Sequence, residues 1–143
     1  MFLPDFEFQL LCPRCQYPIV LPHQSPLGKF QGLDCQPTGD WPVTFLCRGC
    51  GRLSEYFGKD VLSVGIPVLV QNQRLPDLWQ IDCECDRENC GGQRAIYTTY
   101  PAGAPEEDVE RLVLQCVTEV PCSDDHSLLL SGEKIALTRF AQR

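Results

Sequence analysis

The chain has 143 residues, 43% of them apolar and 22% charged, ten cysteines and a net charge of −7. This length suits one domain or two small ones, and the balance belongs to a globular chain, not to a disordered or fibrous one. A chain this acidic gains little from the phosphate attraction that drives most nucleic-acid binding, so nucleic acid is not an expected partner.

The start, MFLPDFEFQL, has no basic region and no apolar run of signal-peptide length, because Asp5 and Glu7 interrupt it. The longest apolar-rich stretch, VLSVGIPVLV at 61–70, contains Gly65 and Pro67 and is too short to span a bilayer. The expected setting is a reducing cytoplasm with no membrane contact. There, paired cysteines bind metal or do redox work more often than they crosslink.

Read in order, the chain is rich in strand signals. FEFQLL alternates on a period of two, as a half-buried strand does. The turn CPRC follows, with Cys12 and Cys15, and then the short run PIVLP. Residues 23–40, full of Gly, Pro, Ser and Asp, read as a long loop that carries Cys35. WPVTFL is a strand leading into the second turn, CRGC, with Cys47 and Cys50. DVLSVGIPVLV reads as a strand that bends at Gly65–Pro67, and QNQRLPD (71–77) as an interdomain linker.

Beyond that linker, WQIDC leads into CECDRENCGG, with Cys83, Cys85 and Cys90, and RAIYTTY is the next strand. One helical turn is expected at APEEDVERL, where Pro105 and three acids suit a helix start. RLVLQCV then reads as a strand, CVTEVPCSDDH carries Cys116, Cys122 and His126, and LLLSGEKIALTRF as a closing hairpin about Ser131–Gly132.

Two stretches align at near-common offsets. FQLLC (8–12) matches WQIDC (79–83) at 71 residues, and Cys47 matches Cys116 at 69. The expected fold is therefore mainly β with little helix: two tandem modules, 1–71 and 72–143, of short antiparallel strands and cysteine knuckles, the second divergent. Charge divides unevenly between them. Six acids face five bases in 1–71, which is −1, and thirteen face seven in 72–143, which is −6.

Cys12, Cys15, Cys47 and Cys50 form C-x2-C…C-x2-C. Each C-x2-C turn aims both sulfurs and successive backbone N–H groups at one ion, and two turns complete a tetrahedron. Gly51, directly after the second pair, permits the positive φ that tightens such a turn. Residues 8–56 resemble the zinc ribbon family, in which two knuckles on β-hairpins clamp one structural zinc, and also rubredoxin, whose corresponding site carries iron. They depart from these at Gln16, where a Gly usually stands, and in the length of Trp41–Cys47. The resemblance implies one Zn2+, with iron as the alternative.

A second zinc is expected from Cys83, Cys90, Cys116 and Cys122. Cys85 competes with Cys83, since both face one side of a strand, and His126 is a reserve ligand. Cys35 fits neither set and reads as a small buried residue. Phe8, Trp41, Phe45, Tyr56 and Trp79 are expected to pack around the metal turns. Arg14, Arg48 and Arg52 lie on the first site's turns and are expected to offset its thiolate charge, −2 for four thiolates and one Zn2+.

No Ser/His/Asp set, phosphate-binding Gly loop or H-E-x-x-H occurs. The expected function is a non-enzymatic zinc-binding protein with structural four-cysteine sites, acting as a small protein-interaction module. The alternatives are a nucleic-acid-associated zinc ribbon and a rubredoxin-like iron electron carrier.

Overall fold

In the computed structural model, residues 6–22, 24–31, 34–39, 41–65, 76–85, 93–123, 126–129 and 135–140 are described. In chain order the strands are β1 (Phe6–Leu11), β2 (Pro18–Leu21), β3 (Gln24–Ser25), β4 (Gly28–Gln31), β5 (Asp34–Pro37), β6 (Val43–Leu46), β7 (Leu53–Tyr56) and β8 (Leu62–Gly65). There follow β9 (Asp77–Glu84), β10 (Gln93–Tyr100), helix α1 (Glu106–Cys116), β11 (Glu119–Ser123), β12 (His126–Leu129) and β13 (Ile135–Phe140). The fold is mainly β, with one α-helix among the described residues. No helix among them is long and apolar enough to cross a membrane.

A five-stranded sheet, ordered β13-β9-β10-β6-β7, is the frame. Its pairs are antiparallel except for β10 with β6, which run parallel with Ile96 opposite Thr44 and Tyr97 opposite Phe45. The Thr98 hydroxyl donates to the Leu46 carbonyl at 3.0 Å along this seam. Strands from both sides of residue 71 therefore share one sheet, and a boundary at 71/72 does not run between sheets. The tandem arrangement expected from the repeat is not displayed.

Alternation along the strands gives this sheet two apolar faces. On one face, Trp79, Ile81, Cys83 and Ile96 pack with Val109, Val113 and Val117 from α1 and its end. On the other, Phe45, Tyr56, Leu78 and Tyr97 pack against Phe8, Leu10, Ile19 and Leu21 of the antiparallel sheet β2-β1-β8. Phe45 is the hinge of this second core. Its ring meets Tyr56 edge-on at 5.8 Å and Tyr97 tilted at 5.7 Å, one ring from each side of residue 71.

Four local expectations change. The stretch read as a loop, 23–40, contains the three-stranded sheet β3-β4-β5, docked through Trp41, whose indole N–H donates to the Leu27 carbonyl at 2.6 Å. RLVLQCV is not a strand: Arg111–Cys116 completes α1, because Val109 and Val113 are one helical turn apart and both are buried. The closing hairpin is replaced by two separate pairings, β12 with β11 and β13 with β9. Asp77, at the end of the expected linker, opens β9 instead. It is 2% exposed, accepts from the Gly103 amide at 3.2 Å and faces Arg139 at 3.7 Å. Residues 71–75 of the expected linker and the bend at 66–70 lie outside the described residues.

Phe45→Ala removes the ring that both halves of the core share. The expected cost is about 3–5 kcal/mol, measured by denaturant unfolding, the range for truncating a buried aromatic.

Candidate metal centre

The first two cysteine pairs fold into matching knuckles. In the first, the Cys12 amide donates to the Tyr17 carbonyl at 3.0 Å and the Gln16 amide to the Cys12 carbonyl at 2.9 Å. In the second, the Cys47 amide donates to the Arg52 carbonyl at 3.0 Å and the Gly51 amide to the Cys47 carbonyl at 2.8 Å. The residue after each pair takes the same left-handed conformation, with φ of 64° at Gln16 and 71° at Gly51. The departure at Gln16 is thus one of residue type and not of shape.

Each knuckle is fixed by a neighbour. Tyr17 lies flat against Gly49, where an added Cβ would meet the Tyr17 Cβ at 2.8 Å and its ring carbons at 2.9 Å. The Arg48 guanidinium sits between the Tyr17 and Tyr100 rings, 5.9 and 5.5 Å from their centroids, so β10 helps to hold the second knuckle.

These turns bring the sulfurs of Cys12, Cys15, Cys47 and Cys50 within 4.8 Å of one another. Cys12 and Cys50 are 3.7 Å apart and Cys15 and Cys47 3.5 Å apart, far beyond a disulfide bond, and all four are free thiols. A Zn–S bond of about 2.3 Å gives a tetrahedron with edges of about 3.8 Å. The two measured separations match such an edge. The group could bind a metal ion, as a zinc-ribbon-like knuckle does. No family model matches the chain, and no curated protein or solved structure matches it.

The electrostatics of the four thiols are unequal. Burial opposes ionisation of Cys12, but the amides of Arg14 and Cys15 and hydrogen bonds with Cys15 and Cys47 outweigh it and hold this thiol down at about 6. Burial pushes Cys47 up to about 12, aided by hydrogen bonds with Cys15 and Cys12, against the amides of Cys50 and Gly49. Cys15 is also raised: the Tyr17 amide, the largest influence, and a hydrogen bond with Cys47 lower it, but loss of solvent and hydrogen bonds with Cys12 and Cys50 outweigh them.

Of the other cysteines, Cys83, Cys85 and Cys116 have described side chains. Cys83 on β9 and Cys85, one residue past its end, are both buried in the core under α1. Burial, then Asp82, pushes the Cys83 thiol up to about 11. Cys116, the last residue of α1, is exposed, and its sulfur lies against Gly51, 3.2 Å from where a Cβ would stand. It neighbours the first site. Among the described residues, Cys12, Cys15, Cys47 and Cys50 are the one such ligand group. Cys90 lies outside the described residues, as do the side chains of Cys35, Cys122 and His126.

The three arginines also separate. Arg48 is stacked between its two rings, while Arg14 and Arg52 line a cleft of about 320 Å3 with Cys116 and Gly51. Among the aromatic residues, Phe8, Phe45 and Tyr56 pack in the cluster that contains Cys12 and Cys47, Trp41 adjoins it, and Trp79 belongs to the helix-covered core. The sequence reading gave the Tyr17 and Tyr100 contacts of Arg48 no role. Their signal was faint: an aromatic two residues after each of Cys15 and Thr98.

Gln16→Gly relieves a left-handed strain of roughly 1–2 kcal/mol at the cost of backbone freedom of about 0.5–1 kcal/mol. The expected result is a stabilisation of about 0.5–1 kcal/mol in urea unfolding of the metal-loaded protein. Metal affinity is expected to rise with pH, because protons must leave Cys47 and Cys15 before binding. Below about pH 6 the dependence should steepen as Cys12 also protonates. Competition titrations between pH 5 and 8 check this.

Proposed function

We propose that Cys12, Cys15, Cys47 and Cys50 hold one structural zinc ion, and that the protein is a non-enzymatic interaction module whose partner is another protein. The observation that carries the metal reading is the pair of sulfur separations, 3.7 and 3.5 Å, between thiols contributed by two like-shaped knuckles. Four thiolates fill a tetrahedral ion's coordination and leave no open position for substrate, which favours a structural role over a catalytic one. Zinc supplies the positive charge that lets all four sulfurs ionise together, and ties the β1–β2 turn to the β6–β7 turn.

The interaction reading is supported by the outward face of β2-β1-β8. Phe8 and Leu10 point into the core, whereas Leu11 is 39% exposed, and Leu62 and Val64 on β8 are 42% and 39% exposed. Apolar side chains left together on an open sheet face suit contact with a protein surface.

The test is metal analysis and absorption of protein purified under reducing conditions, for wild type and Cys47→Ser. One colourless zinc per wild-type chain is expected, whereas ferric tetrathiolate iron would be strongly coloured. Cys47→Ser should lose stoichiometric metal and melt lower by on the order of 10 °C, since metal binding supplies folding free energy. A variant with unchanged melting and no metal would reject the structural role.

A further inference from the structure

The helix-side face of the five-stranded sheet is only partly filled. Ile96, Thr44 and Glu55 stand opposite one another across β10, β6 and β7, and this row floors a cavity of about 360 Å3 walled by Val120 and Pro121 of β11. The cleft of about 320 Å3 at the second knuckle shares Leu53 and Pro121 with that cavity. The two meet at these residues and make one groove.

Charge along the groove is uneven. Arg14, from the first knuckle, and Arg52, just past the second, are both exposed and both line the knuckle end. Among the described residues neither has an ion pair, although Glu119 lines the same cleft. Two like charges on one small cleft favour an anion between them, and a guanidinium takes a carboxylate through two parallel bonds. The middle of the groove is apolar, with Leu53, Ile96 and Val120, and Glu55 stands in the far part. A chain of repeated phosphates would meet Glu119 and Glu55 on a molecule of net charge −7. A peptide acidic at one end and apolar beyond it matches the charges and the floor alike.

We propose that this groove binds an extended acidic peptide segment of a partner protein, its carboxylates between Arg14 and Arg52 and its apolar side chains along Leu53 and Val120. The proposal rests on the reading that the partner is a protein, and it adds a second contact site to the outward face of β2-β1-β8. The groove discriminates by charge at the knuckle end and by apolar burial along the rest.

The probe is the amidated peptide Asp-Glu-Leu-Val-Leu, with its Asn-Gln counterpart and a single-stranded oligonucleotide as comparisons. Each is titrated into the metal-loaded protein and followed by backbone amide NMR. The acidic peptide is expected to bind with a Kd below about 1 mM, more weakly as salt rises, and to shift the amides of Gly51, Arg52, Leu53 and Thr118. The double variant Arg14→Gln/Arg52→Gln should bind about 10-fold more weakly. Glu119→Gln, which touches neither knuckle, should bind about 2–3-fold more tightly, so the proposal stays testable if an arginine variant loses its fold. Lys59→Gln, which removes an exposed charge that lines neither cavity, should leave binding unchanged. Equal binding of the Asn-Gln peptide, or an unchanged affinity in Glu119→Gln, overturns the proposal. Shifts confined to Leu11, Leu62 and Val64 overturn the groove while leaving the protein-partner reading in place. Tight binding of the oligonucleotide, lost in the double arginine variant, rejects both.

Discussion

Four sulfurs held within 4.8 Å of each other cannot all carry charge unless a cation lies among them. That constraint organises the first half of the chain. The β1–β2 and β6–β7 turns have to present paired sulfurs toward a common point, which requires a left-handed residue after each pair and an unobstructed approach of the two turns. Gln16 and Gly51 meet the first requirement. Gly49 meets the second, because any side chain there would occupy the place of Tyr17. The sheets follow from the knuckles: β1 and β2 leave one turn, and β6 and β7 leave the other as two strands of the five-stranded frame.

Much of the site was legible because its chemistry is local. A C-x2-C turn needs only four consecutive residues to aim two sulfurs, so spacing alone identified Cys12, Cys15, Cys47 and Cys50. The strands β1, β2, β6 and β10 were legible for the same reason, from alternation or short runs between turn residues. Longer-range relations were not. FQLLC and WQIDC look alike since both are strands with a buried face, but Cys12 leaves its strand for a knuckle while Cys83 remains inside β9, under the helix. Cys116 matched Cys47 in register and instead closes a helix. The stripe of Val109, Val113 and Val117 carried that helical period, and the β-branched residues themselves masked it. Pairing partners were the hardest to read, because loop-closure entropy grows slowly with length and a strand such as β13 can reach β9 as readily as a nearer neighbour.

The two faces of the central sheet are finished by different means. One is covered by α1, whose valines interdigitate with Trp79, Ile81 and Ile96 in ordinary apolar packing. The other is covered by a three-stranded sheet too small to bury much on its own, and here the sulfur group adjoins the core. Cys12 and Cys47 are fully buried members of that cluster. Small cores of this kind gain from a metal, because an ion among the ligands adds folding free energy where area cannot.

The second knuckle also connects these faces. Arg48 leans its guanidinium on Tyr100 at the end of β10, and Gly51 accepts the sulfur of Cys116 at the end of α1. Neither contact is large, but both join the Cys47–Cys50 turn to elements from beyond residue 71. Tyr100 leads into the segment that starts α1, and Cys116 finishes it, so the helix is bracketed by contacts with one turn. Both contacts run from the Cys47–Cys50 turn to the ends of the stretch 100–116. The parallel seam of β10 with β6 makes this possible, since Cys47 directly follows Leu46, whose carbonyl the Thr98 hydroxyl bonds. The four-cysteine group thus adjoins the sheet in which strands from both sides of residue 71 meet.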